Sequence, residues 1–283
     1  MAVGGELGTS PDSSAVPSSR GVVASAALKS VLERDRALVI VGLLAIAGLA
    51  WTYIVYVAGD MTGMGDGGTA ALPQVNPWGL ADLLLTFVMW SVMMVAMMVP
   101  SAAPMVLLFA SVNRKRRQST SPYVPTAFFL LGYLIAWTGF SAMATLLQWG
   151  LHTAALLSPM MVSTSPLLGG LLLTAAGVFQ FTQLKRACLS HCRSPVHFFM
   201  GEWREGKAGA LVMGLKHGTY CVGCCWVLMA LLFVAGVMNL LWVAAITVFV
   251  LVERVLPRGD VVGQVAGIVL IVAGVVLGAG MLS

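Results

Sequence analysis

Seven apolar stretches constrain this chain more than any other feature, because each is close to the roughly 20 residues that cross bilayer hydrocarbon as a helix. They run over about 38–58, 80–110, 124–151, 167–184, 208–237, 240–256 and 261–282. Backbone in lipid must satisfy its own hydrogen bonds, so stretches of this kind read as helices. The expected fold class is all-α, a polytopic transmembrane helical bundle of about seven spans. Composition agrees. Of 283 residues, 59% are hydrophobic and 10% charged, against about 45–50% and about 25% in ordinary globular chains. So few charges do not cover a water-facing surface, and a mean hydropathy of +0.91 says the same. Disordered, coiled-coil, collagen-like and small disulfide-scaffold classes are excluded.

Residues 1–36 are rich in Ser, Pro, Gly and Ala and then turn mildly helical; they read as a disordered cytoplasmic tail, with 37–283 as a single transmembrane domain. A charged start followed by a short apolar core is missing, so a cleaved signal peptide is not expected. The second stretch holds Pro100 and Pro104, which predict a kink or break. Only Met238 and Asn239 separate the fifth and sixth stretches, which predicts a tight antiparallel hairpin.

The net charge of +5 does not point to nucleic acid. Its lysines and arginines sit in short blocks between the apolar stretches. With the N-terminus in the cytoplasm, loops 111–122 (Arg114 to Arg117), 185–207 and 253–260 fall inside. Loops 59–79, 152–166 and 238–239 fall outside and carry no Lys or Arg, as the positive-inside rule requires. The expected location is the plasma (inner) membrane, multi-pass, with the C-terminus outside. The expected partners are the lipid bilayer, a metal ion and a membrane or soluble protein.

The strongest constellation is His217-Gly-Thr-Tyr-Cys221-Val-Gly-Cys224-Cys225-Trp226. At 100° per residue, His217, Cys221, Cys224 and Cys225 fall on one stripe about 100° wide, and Cys221 lies roughly 20 Å into its segment, near mid-membrane. A single cysteine there would pack as a small hydrophobe. Three in five residues beside a histidine point to a metal or redox site. Cys188, His191 and Cys192 follow the fourth stretch at one-turn spacing and suit a metal or redox pair, or a reduced, unligated one. His197, in the same loop, reads as an interfacial side chain. Met93 and Met97 continue a stripe from Met89, with Met94 and Met98 beside it. Thioether sulfur is a soft ligand that favours Cu(I), though the same run packs well as plain apolar surface. Met61 and Met64 in the outer loop are candidates for a first contact with the same ion.

Intramembrane charge is costly and defaults to function. Lys216, beside His217, either lowers thiol pKa values or snorkels to the interface. Glu253 and Arg254 end the sixth stretch and read as an interfacial ion pair. Gly214 and Gly218 give the small-xxx-small spacing of close helix contact. There is no Walker A motif, no His-Glu-x-x-His and no Cys-x-x-Cys-His.

The chain resembles a bacterial family of predicted metal-binding integral membrane proteins of unassigned function, over roughly residues 80–282. The resemblance rests on Met93-Met94-Val-Ala-Met97-Met98-Val-Pro100-Ser101, Gly177-Val-Phe-Gln180, Lys185 with Cys188-Leu-Ser-His-Cys192-Arg193-Ser-Pro195, and His217 to Trp226 through Asn239. It implies a helical membrane fold with a metal site at the cysteine and histidine positions. Gln183 stands where such chains carry proline, so the fourth helix is expected to run on toward Cys188 without a break.

Three functions fit. A copper-handling protein (transport, relay or homeostasis) would hold Cu(I) on His217, Cys221, Cys224 and Cys225, with Cys188, Cys192, His191, Met93 and Met97 as further ligands. A membrane oxidoreductase would use a metal or cysteine pair on a lipid-soluble substrate, tuned by Lys216 and Tyr220 and bordered by Trp226. A structural subunit would use its cysteines only for packing. The ligand set favours copper over zinc or iron as the transition metal. A transporter spreads its ligands along the membrane normal; an enzyme converges them on one site with a lateral opening to lipid.

Overall fold

The computed structural model describes residues 19–65, 78–117, 123–154 and 166–279, and these are all-α. They form α1 (Ser19–Gly65), α2 (Leu80–Arg117), α3 (Tyr123–Thr153), α4 (Pro166–Phe179), α5 (Gln183–Arg193), α6 (Pro195–Glu202), α7 (Gly206–Ala230), α8 (Leu232–Ala235), α9 (Leu240–Val255) and α10 (Gly259–Ala279). Five helices are long and apolar enough to cross a membrane by length and composition. The bent pair α4–α5 makes a sixth if its two parts count as one span. The remaining expected span is α9, whose 16 residues reach only about 24 Å at helical rise, short of a hydrocarbon core of about 30 Å. α1 starts at Ser19, so part of the segment assigned to the tail is helical, and residues 1–18 lie outside the described residues. The backbone at Met61 and Met64 belongs to the end of α1, but their side chains lie outside the described residues.

Close crossings between helices depend on glycine. α7 packs mainly on α3. A Cβ at Gly218 would stand 2.9 Å from the Tyr133 carbonyl oxygen, and one at Gly132 2.7 Å from the Leu215 amide nitrogen. The Gly214–Gly218 spacing thus works as small residues do at membrane-helix interfaces. α4 crosses α10 the same way, with a Cβ at Gly170 only 2.8 Å from the Gly274 carbonyl. From Val265 onward the outer face of α10, including Ile268, Val269, Val272 and Val276, is exposed and apolar.

Three local expectations change. Of the kink or break expected in α2, the break does not occur: both prolines lie inside one continuous helix. The Met98 carbonyl, one turn before Ala102, accepts from Ser101 Oγ at 2.9 Å and Tyr133 Oη at 3.2 Å. The fifth and sixth stretches are not a simple hairpin. α8 and a turn at Gly236 intervene, and Gly236 adopts φ of 96°, a left-handed value that glycine takes without strain. Asn239 then caps α9 by accepting from the Trp242 amide at 3.1 Å.

The third change matters most. The helix does not run on through Gln183. α4 stops at Phe179, α5 starts at Gln183, and the two are bent by 63°. No proline is needed. The Thr182 hydroxyl caps α5 by accepting from the Lys185 amide at 3.3 Å. The Gln180 side chain accepts from Lys185 Nζ, so the residues of the break are tied down from both sides. The bend turns α5 across the bundle and onto α7.

Candidate metal centre

Cys221, Cys224 and Cys225 are each 0% exposed. Their stripe on α7 is buried against other helices. Its principal neighbours are α3 and α5, where the sequence led us to expect the second and fourth spans. The sulfurs share one partner, and it is not a histidine. Arg254, in the last turn of α9, donates from Nη2 to Cys221 Sγ at 3.0 Å, Cys225 Sγ at 3.0 Å and Cys224 Sγ at 3.4 Å. Its Nη1 donates to Ser101 Oγ of α2 at 2.7 Å. Tyr133 of α3 sets its hydroxyl 3.0 Å from Cys221 Sγ, and Cys224 and Cys225 have sulfurs 3.5 Å apart. From α5 the Cys192 thiol reaches Cys221 and Cys224. The Cys188 sulfur lies where a Cβ on Gly223 would be 2.8 Å away. Five helices therefore meet here.

The expected ion pair between Glu253 and Arg254 does not form. Side chains of successive residues on a helix diverge by about 100°, and these two go to different partners. Glu253 takes Lys185 at 2.7 Å with both side chains at most 2% exposed. Arg254 takes the thiols. Lys216 likewise is not the cation beside the cysteines; it pairs with Glu202 at 2.5 Å on the partly exposed side of α7.

Two histidines stay apart from the sulfurs. His217 is 1% exposed and stacks on Tyr133 and Phe129, with Phe198 edge-on, at centroid distances of 5.5, 6.1 and 5.8 Å. Its Nδ1 has no hydrogen-bond partner among the described residues. His191 stacks on Tyr220 at 4.2 Å, and its Nδ1 lies 2.8 Å from the Ala187 carbonyl oxygen. Met93 and Met97 are 0% exposed in the core around α2. Their helix reaches the sulfurs through Ser101 and through the Met98 carbonyl on Tyr133. Trp226 is 46% exposed, with its edge toward Phe179.

Among the described residues, no three His, Cys, Asp or Glu side chains stand in a metal-holding arrangement. Instead a guanidinium touches all three sulfurs of α7. As chemistry, the donor set still fits a soft ion: three thiols from one helix and a fourth from another, with no carboxylate at the sulfurs.

The fold and this centre define a protein of membrane-length apolar helices with a buried thiol cluster around an arginine. Residues 87–277 match the PpoB2 copper chaperone family, and the chain belongs to that family. No curated protein and no solved structure matches it. Belonging to a metal-related family agrees with the resemblance read from the cysteine and methionine motifs, and it adds copper as the metal named for the family.

Sequence reasoning found the three cysteines of α7 and Cys192 but not Arg254, Tyr133 or Ser101. Arg254 was visible as a charge ending an apolar stretch. Its partners were not, because the thiols lie 29 to 33 positions away and Ser101 lies 153 away. Tyr133 carried a weaker signal, as one of several hydroxyls in α3, beside Thr126, Thr138, Ser141 and Thr145.

Proposed function

We propose that this chain is an integral membrane protein that holds Cu(I) on Cys221, Cys224, Cys225 and Cys192 and hands it on to a partner. One observation supports this above all: three sulfurs with no exposed surface converge on a single guanidinium, and a fourth reaches them from α5. Packing alone gives no reason to gather thiols around a buried cation. Copper as the metal is supported by the family and by the softness of sulfur. The four sulfurs converge on one place, which speaks against a transporter and fits a protein that holds an ion, as it would fit an enzyme. The oxidoreductase reading wants a lateral opening to lipid, and buried sulfurs do not supply one. His217, His191, Cys188, Met93 and Met97 belong to this reading as later ligands, reached by the ion as it arrives or leaves. The seven-span arrangement, with basic loops facing the cytoplasm, belongs to it too.

The test is metal content. Full-length protein purified without chelators from copper-supplemented cells is expected to carry about one copper per chain. Cys221→Ser, Cys224→Ser and Cys225→Ser together should abolish it while the protein still inserts. Copper absent from the wild type, or retained by the triple variant, would overturn the assignment.

A further inference from the structure

We infer that Arg254 sets the valence selectivity of the thiol site, favouring a monovalent soft cation over a divalent one. This rests on the copper-holding reading above and goes beyond it to a specificity-determining residue.

The argument is a count of charge. Arg254 Nη2 is 3.0 Å from two of the sulfurs and 3.4 Å from the third. Its charge is not spent on a carboxylate. Glu253, next in sequence, is taken by Lys185 at 2.7 Å. Among the described residues no ion pair joins Arg254 to an acidic side chain. The guanidinium is also held in place, since Nη1 donates to Ser101 Oγ at 2.7 Å and the side chain is 8% exposed. Cys221, Cys224 and Cys225 are therefore accompanied by a positive charge that Ser101 holds in place.

Consider any fixed number of thiolates. With Cu(I) the complex is one unit more negative than with Zn(II). The monovalent complex is therefore attracted to Arg254 by one extra unit of charge. At contact range in a buried site of effective dielectric about 20, one unit charge changes a binding constant by roughly two to three orders of magnitude. Soft-ligand chemistry alone does not supply this term, because zinc also binds thiolate well.

The test is a competition measurement on the full chain in lipid nanodiscs. Cu(I) and Zn(II) affinities are read against chromogenic chelators under reducing conditions, for wild type, Arg254→Gln and Arg254→Lys. In Arg254→Gln the ratio of Cu(I) to Zn(II) affinity should fall by about a hundredfold. Arg254→Lys, which keeps the charge, should restore most of the ratio. Equal factors for both metals in Arg254→Gln would overturn the inference and leave a merely structural arginine, with copper holding intact. A wild-type chain that binds neither metal would instead overturn the copper reading and the inference with it. Two further variants read the same charge effect without touching Arg254. Lys185→Met strips the partner from Glu253 and leaves added negative charge near Cys225, so the ratio should fall. Glu253→Gln leaves Lys185 uncompensated, so it should rise. Shifts of the same sign in both would also overturn the inference.

Discussion

Lys185 Nζ and the Glu253 carboxylate stand 2.7 Å apart across 68 positions of sequence, with both side chains at most 2% exposed. The pair joins α5 to α9. Each of these helices brings one residue to the thiols, Cys192 from α5 and Arg254 from α9. The ion pair therefore fixes the register between the two sides of the site. A buried pair is not in itself a large source of stability, but leaving one partner behind is costly.

Lys185→Met or Glu253→Gln alone is expected to lower unfolding stability by about 3–5 kcal/mol, as for other broken buried pairs. Lys185→Met combined with Glu253→Leu should recover most of that loss. Unfolding in mixed micelles, followed by tryptophan fluorescence, measures it. A double variant as unstable as either single one would show that the pair has another role.

Met93→Leu with Met97→Leu conserves volume, and such swaps in a buried core cost less than about 1.5 kcal/mol. The fold should survive. Copper uptake is expected to weaken and zinc binding to stay as in the wild type, because only the soft monovalent ion gains from thioether sulfur. If copper and zinc respond alike in the double variant, the stripe is core and no more.

Gly214→Ala would push a Cβ against the Phe129 backbone, which has no flexible end to move aside. We expect a loss of about 1–3 kcal/mol from overpacking at the α3–α7 crossing. Gly48→Ala is the control. Nothing lies within 4 Å of its Cβ position, and alanine in a helix interior is favoured over glycine by about 0.5–1 kcal/mol. Opposite signs for the two substitutions in the same unfolding assay are the expected result.

Reporter fusions after Arg117 and after Thr153 flank α3 and should report opposite sides, with Arg117 in the cytoplasm as the distribution of basic residues requires. The same side at both ends would mean that α3 does not span.

Much of the architecture was legible from the length and apolarity of the stretches. The α3–α7 crossing was half-legible, in the spacing of Gly214 and Gly218. The bend between α4 and α5 was hidden for a physical reason. It is made by Thr182 capping one helix and by the Gln180 side chain accepting from Lys185, and neither residue breaks a helix by itself. The site divides along the same line. A periodicity argument sees the cysteines because they share one helix. It does not see what comes to meet them, since Tyr133 and Arg254 are local oddities until the helices are docked. Glu253 and Arg254 make the point sharply. Adjacent charges suggest a pair, but helical geometry sends them to Lys185 and to the thiols.

The span from Cys221 to Arg254 orders events during the chain's own synthesis. The cysteines of α7 leave the ribosome before α9 is made, and the arginine that contacts them follows 33 residues later. A newborn chain thus passes through a stage with α2, α3, α5 and α7 already synthesised but the guanidinium still to come. At that stage the three sulfurs are in place without the cation that gathers them, so the centre is completed only when α9 docks.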